Sequence, residues 1–207
     1  MWGWLDGVKK FWNTVTGFFR GRREVEQDAE TLIAANTVAN EAAIELASTG
    51  ALDPDAFRAQ MREEIKDAYI DQYILGIGGR DQMTAADWGS VGGMIADQYR
   101  YLDGFIDEIR AGTLTEEQIR ARAGMYINSS REAFERATQR NAQELKLTEM
   151  AWTLGEAEHC PDCLDLAAMG WVPMGTITQY PGGGQTQCLT NCQCHIAYRD
   201  PKSGKSY

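Results

Sequence analysis

The sequence has no cysteine before residue 160, only two histidines, and no apolar run approaching the ~20 residues of a membrane span. No spanning helix is therefore expected. Residues 1–23 lack the continuous apolar stretch of a secretory leader, and their basic residues come late. The expectation is a chain made in a cytoplasm and kept soluble there. Gly-x-Ser-x-Gly, His-Glu-x-x-His and the Walker phosphate loop are all missing, so an enzyme is not supported. Basic residues are also in short supply: 20 Lys and Arg stand against 30 Asp and Glu, a net charge of −10. That balance argues against a protein that coats nucleic acid non-specifically. No internal repeat is present.

The composition that remains is globular, with 43% hydrophobic and 24% charged residues in 207. Such a length allows one or two domains with a real core. Charge is unevenly placed. Residues 1–23 carry five basic groups against Asp6, or +4, and the remainder carries 15 against 29, or −14.

Apolar periodicity predicts helices along most of the chain. In residues 2–20, Trp4, Leu5, Val8, Phe11, Trp12, Val15, Phe18 and Phe19 recur at three- and four-residue steps, one face of an amphipathic helix. Gly3, Gly7 and Gly17 weaken it, so the stripe needs something to bury it. It can dock in a groove of a partner, pack on the chain's own helical body, or lie on a membrane surface.

After the Gly21-Arg22-Arg23 hinge, a second helix is expected over 24–48, with Val25, Ala29, Leu32, Ile33, Val38, Ala42 and Leu46 inward. Asp53-Pro54 reads as an N-cap with proline in the first turn, opening a third helix to about Leu75. Gly76-Ile77-Gly78-Gly79 ends it. Thr84 with Asp87, and Thr115 with Gln118, read as capping boxes for a fourth helix to about Ala111 and a fifth to about Lys146. Gly89, Gly92 and Gly93 suggest a close helix contact or a bend. Met150–Leu154 and Cys194–Tyr198 read as strands. The expected organisation is an N-terminal anchor helix (1–23), a helical body (24–147), a small α+β cysteine module (148–200) and a frayed tail (201–207). The class is mainly α.

The cysteines follow the pattern Cys160-x2-Cys163, twenty-four residues, then Cys188-x3-Cys192-x-Cys194. A Cys-x2-Cys knuckle turns two thiolates toward one ion, and a distant cluster supplies the rest of a tetrahedral site. A module of about 50 residues with few large apolar side chains needs such a staple. Structural zinc is the expected cofactor, with disulfides or idle buried thiols as the alternatives. Five cysteines for four places leave Cys192 and Cys194 both open as the fourth ligand. His159 next to Cys160 invites a Cys–His nucleophile, but a thiolate committed to a metal knuckle is not a free one. His195 is expected to face solvent. Gly76-x-Gly78-Gly79-Arg80 follows a helix and not a strand, so it reads as a turn. Asp67, Asp71, Asp103 and Asp107 read as solvated helix faces.

Three stretches together resemble a known family: Glu158-His159-Cys160-Pro161-Asp162-Cys163-Leu164-Asp165-Leu166, Gly170-Trp171-Val172-Pro173, and Cys188-Leu189-Thr190-Asn191-Cys192-Gln193-Cys194. Their pattern is similar to the C-terminal signature of phage head-morphogenesis proteins, the minor capsid proteins like the F protein of phage Mu. The resemblance covers about residues 115–198 at motif level. Gln193 stands where arginine is frequent, and Cys188 replaces a histidine ahead of Asn191. The resemblance implies a structural virion protein acting in head assembly at or near the portal vertex. Portal or major capsid protein would be its partner, self-association a further contact, and the phage head its location. The competing readings are a zinc-ribbon protein-binding adaptor and a peripheral membrane protein using residues 2–20. Only Arg199, Lys202 and Lys205 lend the module positive charge, so no specific nucleic acid is expected.

Overall fold

The computed structural model describes residues 22–49 and 53–207. Five long helices come first: α1 (Arg22–Ser48), α2 (Pro54–Ile77), α3 (Ala85–Arg110), α4 (Glu116–Asn128) and α5 (Arg131–Glu144). A small module follows, with β1 (Glu149–Thr153), α6 (Pro161–Ala168), β2 (Val172–Pro173), β3 (His195–Asp200) and β4 (Lys205–Ser206). The fold is mainly α with an antiparallel sheet of order β2-β1-β3-β4. The stripe from Trp4 to Phe19 lies outside the described residues. No described helix is long and apolar enough to cross a membrane.

The helix starts are those the local chemistry dictates. The Asp53 carboxylate accepts from the backbone N–H groups of Asp55 and Ala56, ahead of Pro54. Both capping boxes form, Thr84 with Asp87 and Thr115 with Gln118. Helix α2 ends at the left-handed Gly78 rather than at Gly76. The expected fifth helix is two helices. Ser129 and Ser130 turn their hydroxyls onto the carbonyls of Tyr126 and Ile127, at 2.7 Å each, and that local competition for backbone groups breaks the helix between α4 and α5.

Helix α2 is central and packs on α1, α3 and α5. Phe57, Met61, Ile65, Tyr69 and Tyr73 are buried along it, as expected, and meet Leu102, Phe105 and Ile106 of α3 with Ile119 and Ala123 of α4. In α1, Ala29 and Ile33 are buried while Val25 and Leu32 are half-buried, as is Met125 in α4. Among the described residues, Gly89, Gly92 and Gly93 make no close helix contact: none outside α3 lies within 4 Å of where their Cβ atoms would sit. Asp103 is not merely solvated either, because its two carboxylate oxygens each accept from Arg62 at 2.9 Å.

Asp87 is buried and ties three elements together. It accepts from the Thr84 backbone N–H at 2.8 Å, from the Tyr73 hydroxyl at 2.9 Å, and pairs with Arg140 of α5 at 2.9 Å. Burial opposes its charge, but the Thr84 bonds, the Tyr73 hydroxyl and the Arg140 guanidinium outweigh that and hold the carboxyl below its ordinary value. Burial pushes Tyr73 up to about 12, so it stays a protonated donor. A carboxyl with a lowered folded pKa stabilises above its ordinary value, and that contribution disappears as pH falls through the folded one. Asp87→Ala should therefore cost about 1–3 kcal/mol at neutral pH. Thermal melts of variant and parent should converge as the pH is taken to 3 and below.

In the sheet, Met150 pairs with Tyr198 and Trp152 with Ile196. These four side chains are buried with Ile177 as the module's core, which also takes in Ala142 of α5. The expected frayed tail is instead an edge strand: Tyr207 exchanges two backbone hydrogen bonds with Tyr198, at 2.8 and 2.9 Å. Its ring packs on the same core, and its hydroxyl accepts from Asn141 at 3.2 Å. Body and module are joined through buried Glu135, whose carboxylate accepts from the Ile196 backbone N–H at 3.3 Å.

Candidate metal centre

Three short segments bring five thiols together. Cys160 is the N-cap of α6 and Cys163 lies in its first turn. Pro161 suits that position because its missing N–H would have no helical partner. Cys188 and Cys192 flank a single 3-10 turn, Leu189–Asn191. Cys194 follows two residues later, at the entry to β3. The turn holds Leu189 at a φ of 51°, a left-handed conformation rare for leucine, and so doubles the chain back toward α6.

All five cysteines are free, and no disulfide joins any pair of them. The sulfurs form two overlapping groups, Cys160, Cys163 and Cys188, and Cys163, Cys192 and Cys194, each with its sulfurs within 4.8 Å of one another. Cys163 belongs to both. Its sulfur lies 3.6 Å from that of Cys188 and 3.6 Å from that of Cys192. A disulfide needs about 2.05 Å. Two thiolates on one tetrahedral ion, each ~2.3 Å from it, stand about 3.8 Å apart. The spacing thus fits ligands around a common cation. Cys163, Cys192 and Cys194 are buried, and Cys160 and Cys188 half-buried.

The thiols do not titrate alike. Burial pushes up Cys163 and Cys188. The hydrogen bond to Cys194, then burial, pushes up Cys192, and the same bond lowers Cys194 against its own burial. For Cys160 burial is outweighed by backbone and thiol hydrogen bonds from Cys163 and Cys188, which lower it. Five thiolates cannot crowd into such a pocket without a compensating cation. Metal binding would supply the compensation and release the protons.

The surroundings are polar where a metal centre needs support. The Thr186 hydroxyl lies 3.2 Å from the Cys188 sulfur. The Trp152 indole shares the module's buried core with Cys194. Asp162 accepts from the backbone and side chain of Gln187, at 2.9 and 3.1 Å, tying α6 to the second cysteine segment. Arg131 of α5, only 8% exposed, feels the negative charge of Glu135, Cys192, Glu26 and Cys194 while burial lowers it, and it pairs with Glu30 of α1.

The structure therefore brings together every cysteine read from the sequence as a ligand: Cys160, Cys163, Cys188, Cys192 and Cys194. His195 points the other way, with its Nε2 3.9 Å from a Glu26 carboxylate oxygen. His159, weighed in the sequence only as a partner for a nucleophile, has its Nδ1 3.7 Å from the Cys194 sulfur. Its adjacency to Cys160 was the one available signal. The partner-binding stripe Trp4, Leu5, Val8, Phe11, Trp12, Val15, Phe18 and Phe19 lies outside the described residues. In comparisons with known proteins, no family model, curated protein or solved structure matches the chain.

Proposed function

We propose that this chain is a structural component of a tailed-phage head, acting in head assembly at or near the portal vertex through a zinc-stapled C-terminal module. The carrying observation is that the cysteines of the two motif segments, Cys160-Pro161-Asp162-Cys163 and Asn191-Cys192-Gln193-Cys194, converge with Cys188 on one cluster. These are the residues on which the resemblance to phage head-morphogenesis proteins rests. Soft thiolates select zinc, copper(I) or iron–sulfur clusters, and a closed all-thiolate tetrahedron is the usual structural zinc site. Cys160, Cys163 and Cys188 are three of its ligands. Cys192 is the fourth, because its sulfur approaches that of Cys163, the thiol common to both groups, at 3.6 Å. The role assigned is structural and not catalytic, and the partner is the portal or the major capsid protein.

The N-terminal stripe is the proposed recruitment element. Phe11→Asp combined with Trp12→Asp should abolish co-purification with co-expressed portal and shell proteins and leave metal content unchanged. Normal co-purification of the double variant would remove the stripe from this role. Purified protein without zinc, or without affinity for either head protein, would overturn the function itself.

A zinc-stapled protein-binding adaptor is the second reading. It is favoured by the exposed Leu164, Met169, Trp171 and Leu189 on the module. Retained zinc together with binding to neither head protein would select it.

A further inference from the structure

We propose that residues 2–20 dock in cis on the C-terminal module, with their apolar stripe seated on Leu164, Ala168, Met169 and Trp171. This goes beyond the assembly role, since it concerns the free chain before any head protein is met. The face is the first observation. Leu164 and Ala168 stand one turn apart on α6, and Met169 and Trp171 follow directly. Leu164 is 49% exposed, Met169 45% and Trp171 39%. Large apolar side chains gathered at a surface mark a docking face. Arg199 lies 4.2 Å from the Trp171 ring centre, and its charge is already paired with Glu149.

The place where the described chain starts selects the occupant. Residues 1–21 lie outside the described residues, and α1 begins at Arg22. Glu26, one turn into α1, has a carboxylate oxygen 3.9 Å from the Nε2 of His195. His195 follows Cys194, whose sulfur lies within 4.8 Å of that of Cys163 in α6. Arg22 is only about 6 Å of helix axis before Glu26, so the N-terminal segment joins the body beside the module. A helix over residues 2–20 would be about 28 Å long, against about 12 Å for the eight residues of α6. It can span the face from α6 to Trp171, and Gly21 offers the turn that lays it there.

Charge complementarity selects the same segment. Residues 1–23 carry +4, whereas the stretch 147–198 has no Lys or Arg and five acidic residues, Glu149, Glu156, Glu158, Asp162 and Asp165. Glu149 pairs with Arg199, and Asp162 accepts from Gln187. Glu156, Glu158 and Asp165 are exposed, and none of them has an ion pair among the described residues. They lie at the approach to α6 and on its exposed side. At about 100° per residue, Lys9 and Arg20 fall on one border of the apolar stripe and Lys10 beyond the other. A helix laid apolar side down on this face therefore brings cations to carboxylates along its edges.

The test uses the full chain alone, cross-linked with a carbodiimide and read by mass spectrometry. Lys9 or Lys10 should join Glu156, Glu158 or Asp165, and a mixture of nitrogen-15-labelled and unlabelled chains should give these links within one isotope only. Hydrogen exchange supplies a second reading. Phe11→Asp with Trp12→Asp should speed exchange of the amides of 162–171 about tenfold and leave those of β1 and β3 unchanged. Links in mixed-isotope pairs would make the occupant a second copy and overturn docking in cis. Links from Lys9 and Lys10 only to carboxylates of α1 to α5 would place the stripe on the helical body and overturn it equally. No link to the module, with exchange at 162–171 unchanged in the double variant, would overturn the surface itself. Should the variant misfold, the isotope-sorted links of the parent decide. No head protein is present, so failure here leaves the recruitment role of the stripe to the co-purification test.

Discussion

On the proposed zinc-staple reading, Cys163→Ser should abolish metal binding and unfold the module from β1 to Tyr207. Cys163 is the sulfur common to both donor groups, so no other single substitution removes as many ligand contacts. Bound structural zinc contributes roughly 10–16 kcal/mol of apparent free energy in small zinc-dependent folds, which is as large as the whole stability of an ordinary domain. The module's own core is a modest group: Met150, Trp152, Ile177, Ile196 and Tyr198 with the aliphatic parts around them. At ~1.5–3 kcal/mol for each fully buried large side chain, before ordering costs, that core does not hold some 60 residues by itself. The expected result is loss of Trp152 burial by fluorescence and rapid proteolysis after residue 148, with most of the helical dichroism kept. The same outcome should follow from a strong chelator on the parent. A chelated protein with an unchanged melt would show that the sulfurs are a packing cluster and not a metal staple.

The retained helicity will not be the whole of the body's signal. Ala142 is buried in the module's core, Glu135 meets the Ile196 backbone, and the Tyr180 hydroxyl donates to Gln139 while Arg136 lies 4.3 Å from the Tyr180 ring centre. Helix α5 thus belongs to both parts. The sequence could show where the cysteines begin, but not that the helix before them would be shared, because α5 reads as a single apolar stripe from either side.

What was legible in the sequence follows the range of the interactions involved. Caps are local, so Asp53-Pro54, Thr84 with Asp87 and Thr115 with Gln118 were each readable from four residues or fewer. The convergence of the five candidate ligands was readable because cysteine clustered in one stretch has few other uses. The break at Ser129-Ser130 was local too, yet it was missed because two serines on a helix also fit a solvated face. Only the burial of Tyr69, whose hydroxyl meets Ser129 at 2.9 Å, shows that this point faces inward. The tail was misread for a long-range reason: the Lys205–Tyr207 stretch is polar by composition and becomes a strand only because β3 offers it a free edge. His159 carried no signal beyond its neighbour, since the Gly155 carbonyl that orients it is positioned by tertiary contacts.

Gly76→Ala should destabilise the body, although it exchanges a poor helix former for the best one. In an exposed helix interior the exchange would gain ~1 kcal/mol. Gly76 is instead the point where α2 crosses α5. A Cβ there would fall 2.4 Å from the Phe134 carbonyl oxygen and 2.9 Å from the Cβ of Ala137. Neither atom is the free end of a flexible side chain. The oxygen is backbone within α5, so relief requires the two helices to move apart. Parting them loosens the layer formed by Tyr73, Ala133 and Ala137, all at or near zero exposure. It also strains the Arg140 reach to Asp87 at 2.9 Å. Overpacking of this kind costs about 1–3 kcal/mol and exceeds the propensity gain. For a chain of this length each kcal/mol lowers the melting temperature by about 2–4 °C. Gly76→Val should be worse, because its branched side chain adds volume where the single Cβ already collides. Thermal melts of the two variants should therefore order parent, alanine, valine from most to least stable, the reverse of a series governed by helix propensity between the first two. If the alanine variant melts above the parent, the α2–α5 crossing is looser than described and the shared role of α5 between body and module loses its structural basis.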